Sequence, residues 1–150
     1  MNRINVSFRD MDEPDWLPKA EAFAQRALKL LQLDNWDLSL LFCGDEFMAS
    51  LNEEYRRKAG PTDVLSFEQG EWYDVGNKHR FLAGDVVLCL DALYRNADDF
   101  KVTPDDELKR LILHGILHLS GMDHEGTEPG EPMLIRQEAM LKDLAEERIL

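Results

Sequence analysis

Positive charge is scarce in this sequence. Lysine and arginine number 17 against 30 aspartates and glutamates, a formal net charge of −13. A surface of that sign repels nucleic acid over most of its area, so an RNA partner has to be met at a concentrated basic patch. Basic residues cluster in two places, Arg56, Arg57 and Lys58 in one and Lys78 and Arg80 in the other. On charge alone such clusters read as solvated loop charges. Cysteine is scarcer still: Cys43 and Cys89 are the only two, far apart and in apolar segments. A thiolate metal pair needs close spacing, so the expectation is two buried free thiols. Long apolar runs are missing: none approaches the roughly 18 residues of a membrane span. The start, MNRINVSFRDMDEPDW, lacks the apolar core of a secretion signal, and a cytoplasmic location is the expectation. Internal repeats, low-complexity stretches and linkers are also absent.

What remains suits one globular domain over 1–150, with 44% hydrophobic and 31% charged residues. INVSF (4–8) alternates as a strand does, and Ala20, Phe23, Ala24, Ala27 and Leu28 fall at helical spacing between 17 and 33. Trp36, Leu38, Leu40 and Phe42 alternate again, and Asp45 is placed to cap a second helix. VLSF (64–67) is a short third strand, and the polar, aromatic stretch from Glu68 to Arg80 reads as a long loop. GDVVLCL lies in a strand buried on both faces. A short helix over 91–99 comes next, then one starting at Thr103-Pro104-Asp105-Asp106, with threonine as N-cap, proline at the first helical position and Asp106 able to close a capping box. A final helix spans about 131–147. The expected fold is α/β (α+β), a small mixed four-stranded sheet packed with about five helices.

Three of the four histidines stand in HGILHLSGMDH, 114–124. His114 and His118 are one helical repeat apart: four residues turn about 400°, leaving the side chains about 40° and 6 Å from each other. One ion can meet both. On a continuing helix His124 would be turned by roughly 240° and point away. The helix therefore has to break between His118 and His124, and Gly121 supplies the left-handed conformation that breaks it. Three protein ligands leave a fourth position for water, the pattern of a catalytic rather than a closed structural zinc site. Asp123 stands either as an orienter of a ligand imidazole or as a turn residue. His79, isolated in the polar loop, reads as a surface residue.

The spacing HxxxHxxGxxH is that of the metzincin proteases, but the glutamate that serves them as proton acceptor is replaced by Gly115. Glycine costs a helix about 1 kcal/mol relative to alanine. Its presence points to close packing or to room for a substrate above the metal, and it argues against peptide hydrolysis.

The same stretch resembles the H-G-x-L-H-L-x-G-x-D-H signature of the YbeY family, the bacterial rRNA maturation endoribonucleases. LNEEYRRKAGPTDVLSF (51–67) resembles that family's L-N-x-x-Y-R-x-K-D-x-P-T-D-V-L-S-F, and GDVVLCLD (84–91) its strand after the variable loop. The resemblance implies a zinc-dependent, single-strand-specific endoribonuclease in 16S rRNA 3′-end maturation and 30S quality control. Its implied partners are ribosomal RNA and 30S components, without membrane or DNA. One Zn²⁺ would be held by His114, His118 and His124, and Arg56 would line the cleft and act on substrate. Ala59-Gly60 and Glu68 depart from the family pattern and put the loop's shape in question. Asp85, Asp123 and Glu125 are candidate general bases by sequence position alone. The alternative readings are a ribosome-assembly factor with structural zinc and, third, a metalloprotease.

Overall fold

The computed structural model describes residues 1–124, 126–128 and 130–150. Strand β1 (Arg3–Arg9) leads through helix α1 (Leu17–Leu30) to strand β2 (Trp36–Cys43) and helix α2 (Asp45–Arg56). Strands β3 (Val64–Val75) and β4 (Lys78–Cys89) form a hairpin, and helices α3 (Leu90–Phe100), α4 (Pro104–Leu119) and α5 (Pro132–Asp143) follow. The sheet order is β1-β2-β4-β3, parallel except for β3, which runs antiparallel on β4 at one edge. The expected mixed four-stranded α+β sheet is therefore present. No helix among the described residues is long and apolar enough to cross a membrane.

Strand β4 explains the unbroken apolar run. Its Val86 and Leu88 join the larger core with Phe23, Leu28, Ile112 and Ile116 of α1 and α4. Val87 and Cys89 point to the opposite face and meet Met48 of α2. Because successive strand residues alternate between faces, a strand covered on both sides has no polar face to show.

The sequence places the helix starts well, with one correction. Thr103 caps α4, its Oγ1 accepting from the Asp106 N–H at 3.1 Å, with three acidic residues in the first turn. For α2 the cap position is Gly44, and Asp45 is already helical. The side chains serving its free N–H groups come from far away: Asp91 accepts from the Asp45 N–H at 2.9 Å and Asp10 from the Phe47 N–H at 3.2 Å.

The stretch from Glu68 to Arg80 is not a loop. It is an outer ribbon of the β3–β4 hairpin, with Trp72 opposite Phe81 and Asp74 opposite His79. A register break between Glu68 and Glu71 separates it from the sheet body; Gly70 sits there with φ +63°. The ribbon is pinned back by Asp37. Tyr73 donates its hydroxyl to Asp37, and Arg80 donates to it through Nε at 3.0 Å and Nη2 at 2.8 Å. Arg80 is 1% exposed, so it is no part of a basic surface patch. A ribbon wetted on most of its surface has no apolar face, and the period-2 signal of a strand is accordingly missing. Cys43 and Cys89, distant in sequence, are register partners on β2 and β4; both are buried free thiols. The neighbouring Cys89 thiol and burial push the Cys43 thiol up.

The chain's last residues tie down the start of α4. Asp105 Oδ1 accepts from the Ile149 and Leu150 N–H groups at 2.8 and 2.9 Å, and the buried Lys109 ammonium lies 3.5 Å from its Oδ2. Burial works to raise the Asp105 carboxyl, but the two N–H donors and Lys109 outweigh it and hold it below its ordinary value. Lys109 also donates to the Glu147 carbonyl at 2.9 Å.

Candidate metal centre and its cleft

Helix α4 ends where the histidine geometry requires. The Gly121 N–H bonds the His118 carbonyl at 3.0 Å, and the Met122 N–H bonds the Leu117 carbonyl at 3.1 Å. This paired closure is a Schellman motif, and its left-handed residue is Gly121 with φ +100°. The chain folds back, and His124 comes within 5.1 Å of His114 and 5.3 Å of His118, ring centre to ring centre.

The three imidazoles can each offer a nitrogen within 4.8 Å of the others. His114 and His118 turn their Nε2 atoms together at 3.1 Å. A tetrahedral centre with Zn–N bonds of about 2.05 Å separates two ligand nitrogens by about 3.3 Å, so the pair stands close to ligating geometry. Two of the outer nitrogens have close partners. His114 Nδ1 meets Gln137 Oε1 at 2.7 Å, and His124 Nδ1 meets the Gly126 carbonyl at 2.7 Å. His118 Nδ1 faces Asp123 Oδ1 at 3.8 Å. Asp123 also accepts from the His124 N–H at 2.8 Å, so it serves as the turn residue and stands near the His118 ring at once. Burial, above all, pushes both the His114 and His118 rings below their ordinary value, which favours the neutral form that binds metals. The donor set and its surroundings fit a divalent ion that accepts nitrogen ligands.

Gly115 makes room for the sheet. A Cβ built on it would stand 2.5 and 2.8 Å from the two methyl carbons of Val86 and 3.2 Å from its Cβ. Of the two readings, close packing is the one realised, and a side chain at 115 would point at β4 rather than at the metal. Gly115→Ala sets two effects against each other. The helix gains about 1 kcal/mol in propensity. Overpacking against a buried, β-branched valine costs about 1 to 3 kcal/mol. The expected net result is a loss of stability in urea unfolding. With Val86→Ala added, the pair should cost less than the sum of the single changes; simple additivity would show that the two sites do not touch in the way described.

The three histidines line a cleft of about 640 Å³ together with Arg56, Asp63, Ser66 and Glu68. Arg56 is in the last turn of α2, and Arg57 ends that helix with φ +55°. Arg56, Arg57 and Lys58 are all exposed. Asn52, one helical turn before Arg56, donates to the Gly60 carbonyl at 2.8 Å and holds the loop that leads to β3. Asp63, which sequence reasoning passed over, is in the cleft; its charge favours a protonated His114, and Asn96 holds it at 2.9 Å. The Cys89 N–H bonds the Asp63 carbonyl at 2.8 Å. In an antiparallel ladder the alternation then turns the backbone groups of Val64 and Ser66 to the open edge of the sheet, and both residues line the cleft. Asp85 cannot be the general base: it neighbours Val86 on β4 and faces the other side of the sheet. Glu125 lies outside the described residues. His79 is on the exposed ribbon, stacked on Trp72 at 4.6 Å and bonded to Asp74 at 2.7 Å, and is not among the cleft residues.

A family profile described as Endoribonuclease YbeY matches residues 2–145. The chain belongs to the YbeY family. With it the chain joins the enzymes that hydrolyse RNA. Endoribonuclease YbeY of Treponema denticola is 52% identical over 142 residues, which cover 93% of this chain and 92% of the relative. That of Treponema pallidum is 42% identical over 142 residues, covering 94% and 89%. A Thermotoga maritima protein of known solution structure superimposes with a TM-score of 0.66 at 26% identity, over 97% of this chain and 91% of that one. Two departures from the YbeY pattern now have places. Ala59 and Gly60 lie on the exposed loop, Gly60 with φ +83°, and Glu68 stands in the cleft just before the register break.

Proposed function

We propose that this chain is a zinc-dependent, single-strand-specific endoribonuclease acting in the cytoplasm on ribosomal RNA, in 16S rRNA 3′-end maturation and in quality control of 30S particles. The observation that carries this reading is the shared cleft, in which three converging imidazoles stand beside an exposed arginine on a chain that belongs to an endoribonuclease family.

His114, His118 and His124 would hold the ion. Bound there, zinc supplies Lewis acidity toward a phosphoryl oxygen and lowers the pKa of water toward neutrality. The rest falls to the chain's own groups. Arg56 is the exposed guanidinium among the described cleft residues and can grip a phosphate with two N–H groups, steadying charge that grows on the phosphoryl oxygens. The backbone N–H groups of Val64 and Ser66, unpaired by the β4 ladder, would be further donors for a single strand lying along β3. With Asp85 on the other face of the sheet, Asp63, which lines the same cleft as His114 and is held by Asn96, is the acidic group we assign to accept a proton. The net charge of −13 fits local engagement at this cleft rather than broad adhesion to RNA.

Arg56→Ala should lower cleavage of a single-stranded 16S 3′-end fragment by roughly a hundredfold or more, the usual effect of deleting one charge-stabilising donor, with metal content unchanged. In cells whose only copy carries His114→Ala, unprocessed 16S 3′ ends should accumulate. Mature ends in those cells would end the reading as a maturation enzyme.

A further inference from the structure

The ligand ring of His114 has two nitrogens, and only one arrangement of its proton leaves Nε2 able to bind an ion. Its Nδ1 faces Gln137 Oε1 of α5 at 2.7 Å. Whether that contact fixes the proton depends on which way the amide is turned, since the NH₂ end would be a donor in place of an acceptor. The structure supplies the reference. Gln137 Nε2 donates to Glu138 Oε2 at 3.1 Å. Glu138 is in turn gripped by Arg110 of α4, at 3.0 Å from Nε and 3.2 Å from Nη2, and Arg110 Nη1 is tied to Glu107 at 3.0 Å. A carboxylate held by a guanidinium is an acceptor only. The amide must therefore present NH₂ to Glu138 and oxygen to His114, so the His114 proton sits on Nδ1. Gln137 is 5% exposed, so its amide is largely shielded from water.

From this chain of contacts we infer that Gln137 is a positioning residue for the metal centre, and that the Arg110–Glu138 pair sets its amide orientation and, through it, the tautomer of His114. The inference rests on His114 being a metal ligand. With the amide reversed, His114 would carry its proton on Nε2, aimed at His118 Nε2 3.1 Å away and at the space where the ion belongs. Partners of this kind typically change metal affinity by about 10–100-fold.

Two independent readouts test it on the full chain. In metal-free protein, ¹⁵N chemical shifts of His114 should report a proton on Nδ1 in the wild type. They should report a mixture in Gln137→Leu and Glu138→Gln, and Nδ1 again in Gln137→Glu, which keeps an acceptor oxygen. In competition with a zinc chelator, Gln137→Leu should bind about 10–100-fold more weakly, Glu138→Gln less so, and Gln137→Glu within about threefold of wild type. A pure Nδ1–H tautomer in Gln137→Leu, or wild-type zinc affinity in that variant, would each overturn the inference. A wild type that binds no zinc would instead overturn the metal-site reading, while the tautomer measurement still judges Gln137.

Discussion

His118→Ala will leave a folded protein that neither retains a metal ion nor cleaves RNA. The side chain is 27% exposed and sits at the end of α4, so its loss removes little packing. The ligand set, in contrast, falls from three imidazoles to two. Zinc binding to structural sites is worth about 10–16 kcal/mol shared over four ligands, or about 3 kcal/mol per ligand. One ligand lost is therefore a drop in affinity of roughly a hundredfold or more. Metal content after desalting, read beside thermal unfolding of the metal-free protein, separates the two effects. One ion per chain in the variant, or a collapsed fold without any metal, would contradict the arrangement; the second result would turn the centre into a structural one.

The largest stability loss should come from Asp105→Ala. Removing this carboxylate strands the Lys109 ammonium, 1% exposed, and leaves two backbone N–H groups of the tail without acceptors. Breaking a buried ion pair by deleting one partner costs about 3–5 kcal/mol. Asp106, at 3.7 Å from the ammonium, and the Glu147 carbonyl offset part of this, and about 3 kcal/mol is expected. The same carboxyl predicts a pH dependence. Its value in the folded protein lies below that in the unfolded chain, so its contribution is complete above the unfolded value near 4 and is lost as pH falls through the folded one. Urea unfolding at pH 7 and at pH 3 should show a smaller gap between wild type and Asp105→Ala at the lower pH. An equal gap at both would show that Asp105 acts by packing alone.

The three-histidine cluster was legible in the sequence because it is local. His114, His118, Gly121 and His124 fall within eleven residues, and helix periodicity plus one left-handed break decide their geometry. The same holds for the start of α4, where Thr103 and the first-turn acids act over a single turn. Gln137 was not legible. It reaches His114 only because α5 packs across α4, a relation over 23 residues that no periodicity encodes. Asp63 was hidden in a motif whose arginine drew the attention. Cys43 and Cys89 became neighbours through strand register, and the ribbon around Trp72 had no apolar alternation to betray it because most of its surface meets water. What sequence patterns missed are contacts between elements, and those depend on how the layers stack.

The contact of Gly115 with Val86 belongs to that class and has an evolutionary reading. A helix pressed this close to a strand leaves one volume to be divided between two positions 29 apart in the chain. Neither can drift alone. A relative that departs from the H-G signature with alanine or serine at 115 should carry a smaller residue at 86, and a large residue at 86 should coincide with glycine at 115. The pair would then vary together across relatives although neither side chain touches substrate, and its record of exchange would trace how α4 has been kept at a fixed height above the sheet while the histidines it carries stayed in place.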